Sequence, residues 1–306
     1  MSENPIPGYL PTEAGRRRGA YVIPSLFTTA NIFCGFYAVV AALKGYQALS
    51  TDVAEAMRLF DNAAKAIGFA VLFDALDGRI ARMTRTTSDF GLELDSLADV
   101  LSFGLAPAVL AYAWGYGTTP DIYGLEMGKA AWVVSFLYLV CGAFRLARFN
   151  VHARRAATVK DRRQFIGLPI PAAAGLIAAI VHFSPMPLSA RPPHSLALFG
   201  NPLQMESALL GFLLLLLVVA LSGLMISTIR YRSFKDLGVT ALSPRWTVLL
   251  LSLLVAGIYF YSRWVLILLA STYVAHGIVM KGFALLRLGR KVSVPAEVSP
   301  PIESEP

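Results

Sequence analysis

Four aspartates stand inside otherwise apolar sequence: Asp74 and Asp77 in the stretch DALDGRIAR, Asp95 and Asp99 in GLELDSLAD. Asp74 and Asp77 are three residues apart, and Asp95 and Asp99 four apart, so on helices each pair shares one face. Gly78 lies four after Asp74, Ala81 four after Asp77, and Gly91 four before Asp95. Each acidic pair is thus flanked by residues with almost no side chain, which leaves room for a bulky anionic group against the backbone. A carboxylate at the centre of a bilayer costs about 2.5–3.5 kcal/mol on insertion scales, so intramembrane acids are rare and usually functional. Four unpaired carboxylates would also repel one another, so positive charge must stand between them. Hard divalent ions such as Mg2+ or Mn2+ take an all-oxygen shell of this kind. Residues 74–99 contain no His and no Cys, which argues against zinc. Two other readings compete: a structural network of ion pairs with Arg79, Arg82 and Arg85, and a cation-transport site.

The elements that must position these acids are predicted as membrane helices. Several apolar runs reach the roughly 20 residues a helix needs to cross a bilayer. The first covers about 21–43 and carries Thr28, Thr29, Asn31 and Gly35; Asn31 within it suits a contact to a substrate phosphate or base, or equally a helix–helix hydrogen bond. A polar connection over 44–62 leads to a second helix, about 63–82, with Asp74 and Asp77 in its C-terminal half. After a short basic turn, a third helix spans about 89–114 with Asp95 and Asp99 in its first half. The two acidic pairs then lie at one depth on antiparallel neighbours, as a shared metal cluster requires. Further helices are expected at about 128–150, 165–183, 206–225, 246–261 and 264–285, the last two joined by a tight turn, with a proline-rich loop over 184–205. The fold class is all-α, a polytopic membrane bundle of about eight transmembrane helices. Residues 1–20 form a cytoplasmic N-terminal arm, 21–289 the transmembrane domain and 290–306 a disordered tail.

Of the 306 residues 56% are hydrophobic, the mean hydropathy is +0.59 and the net charge is +8. The basic excess does not imply nucleic acid, because it is distributed by side. With the N-terminus in the cytoplasm and spans alternating, 21 of the 27 Lys and Arg fall on cytoplasmic segments, as the positive-inside rule expects. Both termini and the aspartate cluster then face the cytoplasm, and the chain is expected as a multi-pass protein of the cell's inner membrane. No apolar run precedes residue 21, so no cleavable signal peptide is expected. Cys34 and Cys141 lie in apolar runs, as small core residues and not as a disulfide or metal pair.

The acidic pattern, DxxDGxxAR, eight residues, then GxxxDxxxD, resembles the signature of the CDP-alcohol phosphotransferases. Asp74, Asp77, Gly78, Ala81, Arg82, Gly91, Asp95 and Asp99 occupy its fixed positions. That family transfers a phosphoryl-bearing group from a CDP-linked donor to an alcohol and releases CMP. By this resemblance Asp74, Asp77 and Asp95 hold Mg2+ or Mn2+, and Asp99 helps bind metal and is the candidate base for the acceptor hydroxyl. Arg82 holds the diphosphate of CDP-diacylglycerol, with Gly78, Ala81 and Gly91 making room for the cytidine; the resemblance also favours a homodimer.

The signature does not name the alcohol. PSLFTTANIFCGF at 24–36, SFGLAPA at 102–108, RLARFN at 145–150 and GLPIPAAA at 167–174 resemble one branch, the integral-membrane phosphatidylserine synthases. This implies transfer of the phosphatidyl group to L-serine, giving phosphatidylserine and CMP. Arg145 and Arg148, three residues apart, are candidates for the serine carboxylate, although arginines at helix ends also snorkel. Glycerol 3-phosphate or inositol phosphate as acceptor would use the same arginines for phosphate. Outside the family, an intramembrane prenyltransferase or a divalent-cation transporter are the rivals; the first places its acidic motifs on distant helices.

Overall fold

The computed structural model describes residues 14–84, 89–122, 125–155, 167–191, 194–198, 201–205, 207–229 and 244–291, and apart from short connections and one hairpin these are helical. Helix α1 (Ala14–Ala48) and α2 (Val53–Thr84) form a hairpin that is the most extensive pairing in the molecule. Their buried residues are mostly small, Ala38, Ala41 and Ala42 on α1 and Ala56, Ala63, Ala64 and Ala70 on α2, with Phe60 and Ile67 among them. In lipid no hydrophobic force separates helix from solvent, so close backbone approach through small residues supplies the packing energy. The polar connection expected over 44–62 is largely absorbed into the two helices. Asp52 is the reason: its Oδ1 accepts the backbone N–H groups of Ala54 and Glu55 at 2.9 and 3.1 Å, an N-cap that starts α2 ten residues early.

The third predicted helix is present but not uniform. It comprises α3 (Asp89–Asp99), a π turn (Val100–Leu105) and α4 (Ala106–Trp114). Gly35 of α1 presses against Ser102 in the π turn so closely that a Cβ would overlap the Ser102 side chain. Helix α5 (Met127–Arg155) packs on the π turn and α4, with Tyr138 fully buried between them. Helix α6 (Ile170–Phe183) follows Gly167, whose φ is +86°. That left-handed residue directs the chain so that Gly167 N–H and Leu168 N–H donate to the carbonyls of Ile229 and Leu224 at 2.8 and 3.0 Å. The start of α6 is thereby tied to the end of α7 (Ser207–Ile226).

Within the stretch expected as loop over 184–205, β1 (His194–Leu198) and β2 (Asn201–Met205) pair antiparallel, from His194 with Met205 to Leu198 with Asn201. The prolines around this pair mask it in the sequence.

The last helix, α8 (Pro244–Lys291), is broken at Tyr261, where φ is −133° and ψ 40°. A straight helix would separate Gly257 and Val265 by about 12 Å, yet a Cβ at Gly257 would stand 3.5 Å from Val265 Cγ2. The two halves therefore bend back toward each other at the expected turn. The half before Tyr261 is largely exposed, whereas Val274 in the second half is buried and Ala270 and Tyr273 pack on the core.

Among the described residues, six helices are by length and composition long and apolar enough to cross a membrane; they lie within 26–48, 90–118, 127–152, 170–190, 207–226 and 245–277. The chain is a multi-pass helical membrane protein. Helix α2 falls outside the six because its acids and arginines interrupt its apolar run. Both cysteines are free thiols, Cys141 buried in the core and Cys34 packed against it.

Candidate metal centre

Helices α2 and α3 bring the acids together. Oxygen atoms of Asp74, Asp95 and Asp99 lie within 4.8 Å of one another. That is the scale of the roughly 4.2 Å between opposite ligands of an ion with bonds near 2.1 Å. At an effective dielectric of about 20, two charges at this spacing repel by about 3–4 kcal/mol. Asp99 Oδ1 is buried without a hydrogen-bond partner. An all-oxygen donor set, mutual repulsion and an orphaned carboxylate oxygen together fit a hard divalent cation. Arg79, the one arginine of the expected ion-pair network whose side chain is described, is exposed and makes no ion pair with the cluster.

Asp77 differs from its three companions. It stands outside the group of three whose oxygens approach one another within 4.8 Å, and Thr28 of α1 donates its hydroxyl to Asp77 Oδ2. Asn31, one helical turn further along α1, is 1% exposed, and its side-chain Oδ1 and Nδ2 both lack partners. Its backbone carbonyl accepts the Ser102 hydroxyl at 2.9 Å, which fixes α1 against the π turn. An amide buried with donor and acceptor both free is costly unless a ligand completes it. Gly78 is exposed on α2 and Gly91 half-buried on α3. Ala81 and Arg82 fall within the range of α2, but their side chains lie outside the described residues, as do residues 1–13 of the expected arm and 292–306 of the expected tail; residues 14–20 of that arm and 290–291 of that tail belong to α1 and α8.

The two arginines of the RLARFN stretch part company. Arg145 is 9% exposed, its Nε has no partner, and it lies close enough to Asp99 and to Tyr273 of α8 for direct electrostatic interaction. Arg148 is exposed; it donates to the carbonyl of Ile226 at 3.3 Å and lines a shallow groove with Phe144, Ala147, Val151 and His152. Asn150 at the end of the same stretch donates to Ser96 Oγ at 2.8 Å, tying α5 to the helix that carries Asp95 and Asp99.

Sequence reasoning missed Thr28, Asn150 and Tyr273 as members of this neighbourhood. Thr28 had a usable signal, since it precedes Asn31 by three residues and so shares its helix face. Tyr273 had none, because it stands in an apolar run of a helix remote in sequence from the acids.

Known proteins are similar to this chain over much of its length. The model of the CDP-alcohol phosphatidyltransferase family matches residues 21–213. A CDP-diacylglycerol–serine O-phosphatidyltransferase of Helicobacter pylori strain J99 is 38% identical over 215 residues, covering 70% of this chain and 73% of that protein. One of Bacillus subtilis strain 168 is 32% identical over 225 residues, 73% of this chain and 98% of that protein. One of Saccharomyces cerevisiae is 35% identical over 158 residues, 51% of each chain.

Proposed function

The chain belongs to the CDP-alcohol phosphatidyltransferase family, and from that premise we propose that it transfers the phosphatidyl group of CDP-diacylglycerol to the hydroxyl of L-serine, giving phosphatidylserine and CMP. The observation that carries this reading is the company Asp99 keeps. A buried carboxylate with a free oxygen stands beside a buried guanidinium with a free N–H, next to Asp74 and Asp95. A molecule with both a hydroxyl and a carboxylate answers both groups at once, and serine is such a molecule.

In this reading Asp74, Asp77, Asp95 and Asp99 hold Mg2+ or Mn2+. The bound metal would neutralise the diphosphate and favour departure of CMP. The serine hydroxyl attacks the phosphorus that bears the diacylglycerol, Asp99 takes its proton, and the bond to the CMP oxygen breaks. Arg145 orients the serine carboxylate by a charge-assisted hydrogen bond; Arg148, turned outward, is the weaker candidate. Asn31 offers its free amide to the cytosine or a phosphate of the donor lipid. Arg82 holds the diphosphate, and Gly78, Ala81 and Gly91 leave space for the cytidine. The acyl chains of the donor stay in the bilayer while its head reaches the acids.

The finer topology belongs to the same reading. The bend at Tyr261 and the helical α2 favour eight passes with both termini cytoplasmic, an active site facing the cytoplasm and residence in the inner membrane. The exposed apolar half of α8 suits lipid or a second copy in a homodimer. The deciding experiment supplies purified chain with CDP-diacylglycerol and labelled serine, glycerol 3-phosphate or inositol phosphate in turn. Serine-dependent CMP release with label in the lipid fraction is expected; label from another alcohol and none from serine refutes the assignment.

A further inference from the structure

At the other end of α2 from the aspartate cluster, three polar side chains from three helices meet. Asp61 stands thirteen residues before Asp74, about 20 Å along the helix. Its Oδ1 lies 2.6 Å from Nδ1 of His182, in the last turn of α6. Nε2 of His182 lies 2.9 Å from Oγ of Ser262, the first residue past the break in α8. His182 is 6% exposed, while Ser262 is only partly buried. Nothing in the transfer of a phosphatidyl group uses these residues.

We propose that Ser262, His182 and Asp61 form a second site, a serine nucleophile for acyl esters presented at the membrane interface. The order and the two distances are those by which a carboxylate orients an imidazole and the imidazole activates a hydroxyl. With Asp61 accepting from Nδ1–H, the neutral ring keeps Nε2 as an acceptor for the Ser262 O–H. Asp61 is held for this task from its other side, where Lys65 Nζ stands 2.7 Å from Oδ2. Burial pushes the Asp61 carboxyl up, but the contacts with His182 and Lys65 outweigh it and hold it below its ordinary value. Ser262 sits at the start of the second half of α8, the positive end of that half's peptide dipoles, where an oxyanion is favoured.

The imidazole is the buried member of the three, while the carboxylate and the hydroxyl are both partly exposed, which leaves the hydroxyl within reach of a ligand. The α6–α8 contact beside it is fixed by Phe183 and Trp264, edge to face with ring centres 4.7 Å apart. Tyr259, Phe260, Tyr261 and Trp264 stand exposed around the bend, as aromatic residues do at a bilayer interface. That setting selects an amphiphilic ester over a soluble one.

The chemistry balances with water as the only co-reactant. Ser262 Oγ bonds to the ester carbonyl carbon while its proton passes to His182 Nε2. The carbonyl carbon–alkoxy bond breaks, and the departing alcohol takes that proton. Water then adds to the acyl-serine through the same imidazole, releasing the carboxylic acid and restoring Ser262.

The test treats full-length chain in lipid nanodiscs with a fluorophosphonate probe and maps the adduct by peptide mass spectrometry. Gel filtration and CMP release are measured on the same preparation. One adduct per chain at Ser262 is expected. Ser262→Ala should remove it with CMP release intact, and His182→Gln should slow labelling at least about 100-fold, in line with loss of a general base. A monodisperse wild-type chain that leaves Ser262 unmodified at saturating probe overturns the proposal, as does an adduct at another residue. His182→Gln labelling at the wild-type rate overturns it too. The wild-type result stands by itself should a variant fail to fold.

Discussion

Thr28→Val tests the metal centre at the residue that no acidic motif announces. The substitution keeps the branched shape and replaces a hydroxyl with a methyl. Thr28 is 5% and Asp77 6% exposed, so water cannot take over the lost hydrogen bond to Asp77 Oδ2. A hydrogen bond to a charged group contributes about 1.5–3 kcal/mol, and an orphaned buried acceptor costs a similar amount. If Asp77 is a metal ligand, that energy is the cost of holding its carboxylate in a productive orientation. The expected result is a roughly 10- to 100-fold rise in the Mn2+ concentration that half-saturates CMP release. The rate at saturating metal should recover most of its wild-type value, because the cation itself then holds the carboxylate. Thr28→Ser retains the donor and should restore the metal dependence. The thermal unfolding midpoint, read in parallel, separates this from simple destabilisation. A Thr28→Val chain with the wild-type metal titration curve would refute the idea that this hydroxyl positions a ligand.

Asp99→Asn should lower turnover by about 100- to 10,000-fold, the range for loss of a general base, while CDP-diacylglycerol binding by equilibrium dialysis persists; near-wild-type rates would remove Asp99 as the base. Chelation with EDTA should stop CMP release and Mg2+ or Mn2+ should restore it, since the all-oxygen cluster suits either ion; chelator-resistant turnover contradicts the centre. Arg145→Ala should raise the KM for serine about 10- to 100-fold, a loss of about 1.5–3 kcal/mol for a charge-assisted contact, whereas exposed Arg148→Ala should change it less than about threefold; the reverse ranking would move the acceptor site to the outer groove. Gly35→Leu should destabilise the protein, because any side chain there runs into Ser102; an unchanged unfolding midpoint would mean that α1 and the π turn separate easily.

The aspartate pairs were legible because a helix repeats every 3.6 residues and membrane sequence tolerates so few acids that each stands out. The turn within the last helix was legible too, as Ser262 and Arg263 interrupt an apolar run where the chain bends at Tyr261. What could not be read was partnership. Thr28 and Thr29 are adjacent and chemically alike, and only the pairing of α1 with α2 decides which meets Asp77. Arg145 and Arg148 differ by three residues, nearly one turn, yet one is buried beside Asp99 and the other faces outward. Helical spacing puts them on neighbouring faces, and the packing of α5 against the π turn and α7 decides which face looks inward. Sequence periodicity fixes which residues travel together, but the rotation of each helix about its axis is a property of its neighbours.

The π turn after Asp99 shows how such a rotation is set. Pro107 lacks a backbone N–H and its ring would collide with the carbonyl four residues back, that of Phe103, in a regular helix. The chain avoids the collision by widening one turn, so that Ala106 N–H donates to Leu101, five residues back, before α4 begins. The carbonyl of Phe103, which Pro107 cannot satisfy, accepts the buried Tyr138 hydroxyl at 3.2 Å. The wider turn offsets α4 from α3 by one residue relative to an unbroken helix. Asp95 and Asp99 can then face α2 while Leu110 and Trp114 below them face the core. Gly104 lets Leu139 of α5 approach on the far side, and Ser102 reaches Asn31 on the near side. The stretch SFGLAPA thus acts as a mechanical joint, with a proline to break the ladder, a glycine and a serine to admit neighbours, and a tyrosine from α5 to close the gap. It lets the carboxylate face of α3 be aimed independently of the core face of α4, consistent with the frequent placement of π turns beside functional sites.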